Sequence, residues 1–379
     1  MTRSDTSNSL NLAISRAVSS IKTDVDQCLA ARLQKFLIAT GAIQTPLAAP
    51  AEVAVSGGKR FRALCAYVGA ACGEPQNLDP AALLRETAEL PGIKELSVAL
   101  EFYQACALVH DDIIDNSPTR RGAPSAHAHF TQTHDSTQLL GDGGEFGRSG
   151  GILLGDLLLA AADDALSVVV GQSRKSGPAI VAGYARMAGE VAQGQFLDMS
   201  AGFRSLDADN QDAVEAALEV VTVKSARYSV VRPAQLGALL AGGDQRLLED
   251  LEAILEPAGL AFQLRDDHLG AFGDQSDTGK PTGIDIVEKK RTVLLALTWQ
   301  ASSPAEQAIL REAYGAPQPD PAAVGEVVEI MRRTGQGPHE ELIAQLVEEA
   351  NRNLERAELT SGARDLLRYL VDLLTSRDS

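Results

Sequence analysis

Apolar residues recur every three or four positions along most of the chain, the spacing that turns one face of an α-helix inward. This rhythm predicts helices over Leu96–Asp115, Gly151–Val170, Ile180–Met199, Asp212–Leu240 and Leu247–Leu269. It resumes from Arg291 to the end, with a break at Ala316–Pro321, and Pro233 predicts a kink because a proline ring cannot sit in an unbroken helix. Residues 1 to 56 read as a polar leader, partly flexible over the first fifty, followed by one or two amphipathic helices with a break at Thr45–Pro50. The stretch GGKRFRALCAYVGAAC reads as a loop entering a helix, and Gly73–Leu90, with Pro75 and Pro80, as a surface insertion. His134–Gly151 is glycine-rich and polar, hence a loop or broken helix. Ala271–Lys290 reads as a long polar loop with turn formers at Gly273, Asp274, Gly279, Pro281 and Gly283. No fixed-period repeat, low-complexity tract or long linker divides the 379 residues, so one all-α domain is expected.

Composition agrees with helices: 45% of residues are hydrophobic, only 4% are aromatic, and Ala, Leu, Val and Glu dominate. A net charge of −17 argues against nucleic acid, which is held by many Lys and Arg contacts to phosphate. Any anionic ligand must then be captured locally, by a few bases or by metal. Cys28, Cys65, Cys72 and Cys106 form no CxxC pair and are expected as reduced thiols in a cytoplasmic protein. Arg16 and several serines interrupt the N-terminal stretch, which excludes a secretory signal of the usual kind. The longest apolar run is cut by Asp156, Asp163 and Asp164, too soon for a membrane span.

Chemistry concentrates in HDDIIDNSPTRRG. Asp111 and Asp115 stand four apart, on one helix face, with Asp112 beside them; three such carboxylates repel unless a cation lies between. Hard divalent ions such as magnesium take oxygen ligands and bridge one or two carboxylates to a phosphate. The pair Asp163 and Asp164 shows that adjacent acids alone mean little in so acidic a chain. A second cluster, Asp266 and Asp267 at the end of another apolar run, carries more weight. Bases gather in the same regions: Lys59 and Arg62 after two glycines, Arg120 and Arg121 beyond the first acids, then Lys224, Lys280 and Lys290. A planar Arg fork and a Lys point charge both suit a diphosphate, and the two groups of bases suggest two diphosphate pockets. The stretch GDQSDTGKPTG imitates a nucleotide-binding P-loop but lacks its first glycine and has Pro281 where Ser or Thr is required.

Taken in order, GGKRFR, EFYQ, LVHDDIID, TRRG, LLGDLLL, GQFLD, VKSARYS, FQLRDD, GKPTG and DIVEKKRT resemble the all-trans isoprenyl diphosphate synthases, the polyprenyl synthetase family, across residues 57–293. Within that family the chain resembles the geranylgeranyl diphosphate synthases of bacteria. The resemblance implies a single large helical bundle with a central cavity, and a homodimer. It implies chain elongation in which isopentenyl diphosphate is joined to dimethylallyl, geranyl or farnesyl diphosphate. Lys59, Arg62, Gln104 and Arg121 resemble the isopentenyl diphosphate set. Arg120, Lys224, Gln263, Lys280 and Lys290 resemble the allylic set, with Ser225 where the family often has Thr. Asp111, Asp115 and Asp266 resemble the main magnesium ligands, supported by Asp112 and Asp267, in a site of three Mg2+ ions for which Mn2+ substitutes. Asp156 and Asp285 stand at acidic positions that help hold metals and lysines. In one departure, Gly270 replaces the third acid of the second cluster, which puts that position in doubt as a ligand.

Side chains four apart stack along a helix, so the residues one and two turns before Asp111 would wall the product tunnel. These are Cys106 and Ala107, then Tyr103. Small residues at the nearer turn and a floor at Tyr103 point to a C20 product, geranylgeranyl diphosphate; farnesyl and longer polyprenyl products are the alternatives. A terpene cyclase would not need GGKRFR, and a non-catalytic partner subunit would be expected to have lost acids or arginines that are intact here.

Overall fold

A computed structural model describes residues 3–74, 77–207, 212–273 and 282–375, with side chains described from residue 10 onward. In chain order the helices are α1 (Arg3–Thr40), α2 (Ala48–Val55), α3 (Phe61–Gly73), α4 (Pro80–Ala88), α5 (Ile93–Ile114), α6 (Ala126–Ser136), α7 (Gly143–Gln172), α8 (Gly177–Gly202) and α9 (Ala213–Val221). They continue as α10 (Arg232–Leu240), α11 (Gln245–Phe272), α12 (Ile284–Val287), α13 (Val293–Ala301), α14 (Pro304–Gly315), α15 (Pro321–Ile330), α16 (Gln336–Arg356) and α17 (Ser361–Thr375). Among the described residues the only sheet is a two-stranded hairpin, β1 (Thr119–Arg120) against β2 (Ala123–Pro124), paired Thr119 to Pro124 and Arg120 to Ala123. The all-α expectation holds.

The chain forms two compact units, each assembled from three separate segments. The first comprises Met1–Gly183, Pro233–Leu248 and Leu359–Leu366, the second Tyr184–Arg232, Glu249–Glu358 and Leu367–Ser379.

In the first unit the polar leader is a 38-residue helix. Its apolar positions Ile21, Val25, Leu29, Leu33 and Leu37 repeat every fourth residue and are buried against α4 and α5. The segment expected as a surface insertion instead contains α4, which buries Leu83 and Leu84 fully. Asp79 caps α4 by accepting from Ala82 N at 3.0 Å, and Pro80 takes the first helical position, where its missing N–H costs nothing. The glycine-rich stretch before residue 151 is a broken helix, the second of the two forms expected: α6 ends at Ser136, residues 137–142 are non-helical, and α7 begins at Gly143. Its glycines form a narrow stripe. A Cβ at Gly147 would lie 2.1 Å from Thr131 Oγ1 of α6, and one at Gly155 only 2.0 Å from His110 Nε2 of α5. Glycine there reports close helix approach rather than a loop.

In the second unit, Asp212–Leu240 is not one kinked helix. Between α9 and α10 lies a ten-residue π-helical stretch, Thr222–Val231. At its end Arg232 N donates to Arg227 O, five residues back, a wider turn just ahead of Pro233. Helix α11 packs Ala261 and Leu264 with Ala217 and Val221 of α9, Val293 of α13 and Ile343 of α16. A second apolar group joins Ile286, Leu295, Trp299, Leu310, Tyr314 and Val327.

Candidate active site

In the first unit the site is built at the C-terminal end of α5. Gln104, Ala107, Leu108, Asp111 and Asp115 follow one another at helical spacing along its least buried face. Asp115 is the C-cap residue, its N–H bonded to Asp111 O at 2.9 Å. Three carboxylates therefore stand where the helix carbonyls already make the potential negative, so a cation is favoured there. One cation comes from the chain itself. Arg120 Nε and Nη2 donate to Asp112 Oδ1 at 2.9 and 2.5 Å, and Nη2 reaches Asp111 Oδ2 at 3.4 Å. Burial pushes the Asp112 carboxyl above its ordinary range while Arg120 pulls it back. Asp112 is thus committed to Arg120, whereas Asp115 stays exposed.

Arg120 and Arg121 are carried by the hairpin, at the end of β1 and in its turn. Arg121 and Gly122 are its two turn residues, with φ of 53° and 77°, the combination of a type I′ turn. The turn aims Arg121 away from Arg120, onto GGKRFR. Arg121 Nη1 donates to Ser56 O at 2.6 Å, and its guanidinium covers Gly57 and Gly58, both at positive φ. A Cβ on Gly58 would come within 3.1 Å of Arg121 Nη2, so the turn requires glycine for conformation and space. No carboxylate pairs with Arg121 among the described residues. Burial foremost, then Arg60 and Arg120, lower its pKa, with Glu101 acting the other way. Lys59 is exposed beside this turn, and Arg62 and Gln104 are partly exposed on α3 and α5, which pack together.

Arg60, which sequence reasoning passes over, anchors the arrangement. It is 8% exposed and donates to Asp26 Oδ1 at 2.5 Å, Glu101 Oε2 at 3.2 Å and Val55 O at 2.7 Å, tying α1, α2 and α5 to the start of α3. Its φ of 51° directs it inward while its neighbours stay outside.

In the second unit, Lys224 and Ser225 lie in the π-helical stretch, both partly exposed. Lys224 Nζ donates to Asp198 Oδ2, the acid of GQFLD, to which the motif alone assigns no role. The glycine of that motif explains the approach: a Cβ on Gly194 would lie 2.7 Å from Lys224 N. On α11, Gln263 Nε2 donates to Asp267 Oδ1 at 3.0 Å. Burial foremost, then the charge of Asp285, raises the Asp267 carboxyl to about 7. Asp266 lies next to it, partly exposed. Lys290 Nζ donates to Asp285 Oδ1 at 3.0 Å and pairs with Glu288 at 2.9 Å. Burial pulls the Lys290 ammonium down, but the two acids raise it overall and keep it charged. Lys280 falls outside the described residues. The comparison pair behaves as a solvated surface pair: Asp163 and Asp164 are exposed on α7, with Arg32 3.3 Å from Asp164.

Among the described residues no three His, Cys, Asp or Glu side chains are placed to hold a metal ion by themselves. The donors at both acidic ends are carboxylate oxygens, Asp111, Asp112 and Asp115 at one and Asp266 and Asp267 at the other. That set fits magnesium, which keeps several waters and completes its shell with phosphate oxygens.

A family model described as polyprenyl synthetase matches residues 44–331. The chain belongs to the polyprenyl synthetase family. Prenyl chain elongation by a trans-prenyltransferase is the activity that membership carries, and the all-α isoprenoid synthase fold goes with it. A solved geranylgeranyl pyrophosphate synthase from Corynebacterium glutamicum, in complex with isoprenyl diphosphate and magnesium, is 36% identical. The match covers 93% of this chain and 98% of that one, with a TM-score of 0.81. A short chain isoprenyl diphosphate synthase of Methanothermobacter thermautotrophicus is 28% identical over 88% of this chain and 91% of its own length. A nonaprenyl diphosphate synthase of Mycobacterium tuberculosis is 29% identical over 85% and 84%. Members of the family thus differ in product length while sharing the chemistry.

Proposed function

We propose that this polyprenyl synthetase condenses isopentenyl diphosphate with dimethylallyl, geranyl and farnesyl diphosphates, and that its main product is geranylgeranyl diphosphate (C20). The observation that carries the reading is the division of its bases into two kinds. Arg121, over the glycine turn beside Lys59, donates to the Ser56 carbonyl and forms no ion pair among the described residues, whereas Lys224 and Lys290 are each held by acids, Asp198 and Asp285. A protein handling one diphosphate has no use for both.

Lys59, Arg62, Gln104 and Arg121 hold the diphosphate that stays, that of isopentenyl diphosphate. Arg120, Lys224, Ser225, Gln263, Lys280 and Lys290 hold the allylic diphosphate that leaves. Asp111, Asp115 and Asp266, with Asp112 and Asp267 in support, are the magnesium residues, for three ions with Mn2+ as a substitute. Magnesium, when bound, withdraws charge from the diphosphate oxygens and makes the group easier to expel. Arg120, Lys224 and Lys290 offset the charge that grows on the departing diphosphate as the allylic C–O bond breaks. The double bond of isopentenyl diphosphate then forms the new C–C bond at the allylic carbon, and loss of a proton restores a double bond. The scheme asks for no protein nucleophile. Family likeness further supports a homodimer working in the cytoplasm.

The C20 reading rests on α5. Ala107 lies one turn, about 5.4 Å, below Asp111 on the partly exposed face, and Cys106 and Tyr103 are buried beside it at 5% and 8% exposure. Tyr103→Ala should lengthen the product; an unchanged product would place the floor elsewhere. The two diphosphate sets are separable by kinetics. Arg121→Asn removes the cation but suits a type I′ turn followed by glycine, so KM for isopentenyl diphosphate should rise while KM for the allylic partner holds. Equal rises in both would refute the assignment.

A further inference from the structure

Lys224 and Ser225 ride on the π-helical stretch Thr222–Val231. Such winding mostly occurs as single turns, so ten residues of it need something to hold them. Two arginines measure its pitch. Arg227 and Arg232 stand five apart; in an α-helix they would diverge by about 140°, whereas a run wound i→i+5 brings the fifth residue back over the first. Both guanidinium groups reach one acid, Glu252 of α11, Arg232 Nη1 at 3.1 Å and Arg227 Nη2 at 3.9 Å. Arg232 is 5% exposed, and its Nε and Nη2 donate to the two carboxylate oxygens of Glu190 on α8, each at 2.8 Å. Arg227 Nε donates to Glu256 of α11 at 2.6 Å.

The flanking helices are spaced to match. On α8, Glu190, Gly194 and Asp198 recur every fourth residue, on one face. Glu190 takes Arg232, Gly194 admits the backbone of Lys224, and Asp198 accepts the Lys224 ammonium. On α11, Glu252 and Glu256 stand one turn apart, and beyond them a Cβ on Gly259 would lie 3.1 Å from Ala226 Cα. The stretch is thus held from two helices along its length, with Lys224 near its start and Arg232 at its end. All these residues belong to the second compact unit.

We infer that Arg227 and Arg232 are positioning residues: with Glu190, Glu252 and Glu256 they hold the stretch in its wide winding and so fix where Lys224 and Ser225 project. The inference rests on the reading of Lys224 as a residue of the allylic diphosphate set. It gives a role to an ion network that the reaction scheme does not use, and it ties that network to one substrate and not the other.

The test is steady-state kinetics on the full chain, with Tm as the check on folding. Glu190→Met with Arg232→Met replaces a buried ion pair by apolar chains, a change that often leaves stability intact. Its Tm should stay near that of the parent. KM for farnesyl diphosphate should rise about ten-fold or more, the worth of one charged hydrogen bond, while KM for isopentenyl diphosphate holds. Arg227→Gln, at a half-buried position, should move the same KM in the same direction and serves if the apolar pair does not fold. In a Lys224→Ala background neither change should raise that KM further, because groups that act as a unit are not additive. Effects that multiply in that background would overturn the proposal, as would equal rises for both substrates. Lys224→Ala by itself separates the two levels. If it leaves KM for farnesyl diphosphate unchanged, the reading of Lys224 fails; if it raises that KM while the network variants keep parental values of KM and Tm, the present inference fails alone.

Discussion

Arg120 and Arg121 are neighbours in sequence with opposite duties, and a turn of two residues separates them. Arg120 commits its guanidinium to Asp112 and Asp111, whereas Arg121 is turned onto Gly57 and Gly58. A lysine cannot reproduce the fork at position 120, so Arg120→Lys should lower kcat/KM for the allylic substrate by about ten-fold or more, the worth of one charged hydrogen bond. Steady-state kinetics at saturating isopentenyl diphosphate would check this. The motifs make the two arginines legible as candidates, but their separation depends on φ values that no local pattern announces. Arg60 escapes notice for the opposite reason: among the three bases of GGKRFR, only burial distinguishes the one that points inward. His339 is another buried group without a sequence signal. It is fully buried, both ring nitrogens lack partners among the described residues, and its ring stacks on His268 at 6.2 Å. Burial, then His268, hold its pKa down to about 4 against an ordinary 6.5. Between those values the unfolded chain binds the extra proton, so stability must fall as pH drops through that window, by on the order of 3 kcal/mol in full. His339→Phe should flatten that acid-side loss in urea unfolding at pH 7 and 4.5; an unchanged difference between the two pH values would contradict the assignment.

Helices reveal themselves by period, and their ends by chemistry. Asp79-Pro80, Ser303-Pro304 and Asp320-Pro321 each place a capping side chain before a proline at the first helical position. The first of these reads as a surface insertion only when proline is weighed as a breaker rather than as a starter. Glycine is ambiguous in the same way along α7, where it reads as a loop or a broken helix. What the sequence pattern does not carry is the partner helix: Gly147 and Gly155 make sense only once α6 and α5 lie on top of them. Gly155→Ala should therefore cost about 1–3 kcal/mol by overpacking against His110. Gly189→Ala, on α8 with nothing within 4 Å, should instead stabilise by up to about 1 kcal/mol through helix propensity. Thermal unfolding of the two variants would decide, and shifts of the same sign would contradict the packing described for α7. The π-helical stretch is likewise out of reach, since a kink at Pro233 is legible but the way the chain relieves it, over ten residues that carry Lys224, is not.

At the scale of the molecule, a chain of net charge −17 binds substrates that are themselves polyanions. The proposed site resolves the conflict locally: bases are concentrated at GGKRFR, the hairpin and the π-helical stretch, and acids at two helix ends where divalent ions would turn repulsion into attraction. The fold class and most of the proposed site residues are legible, because ordered motifs over residues 57–293 carry the family; the pairing of each base with its acid is not, because it depends on contacts between segments distant in sequence. The central claim is that these residues together elongate prenyl chains to C20. It is tested most directly by incubating the purified protein with Mg2+, isopentenyl diphosphate and, in turn, dimethylallyl, geranyl and farnesyl diphosphates, and sizing the products. The account predicts geranylgeranyl diphosphate from all three primers, released with inorganic diphosphate. Absence of any elongated product and of released diphosphate would contradict it.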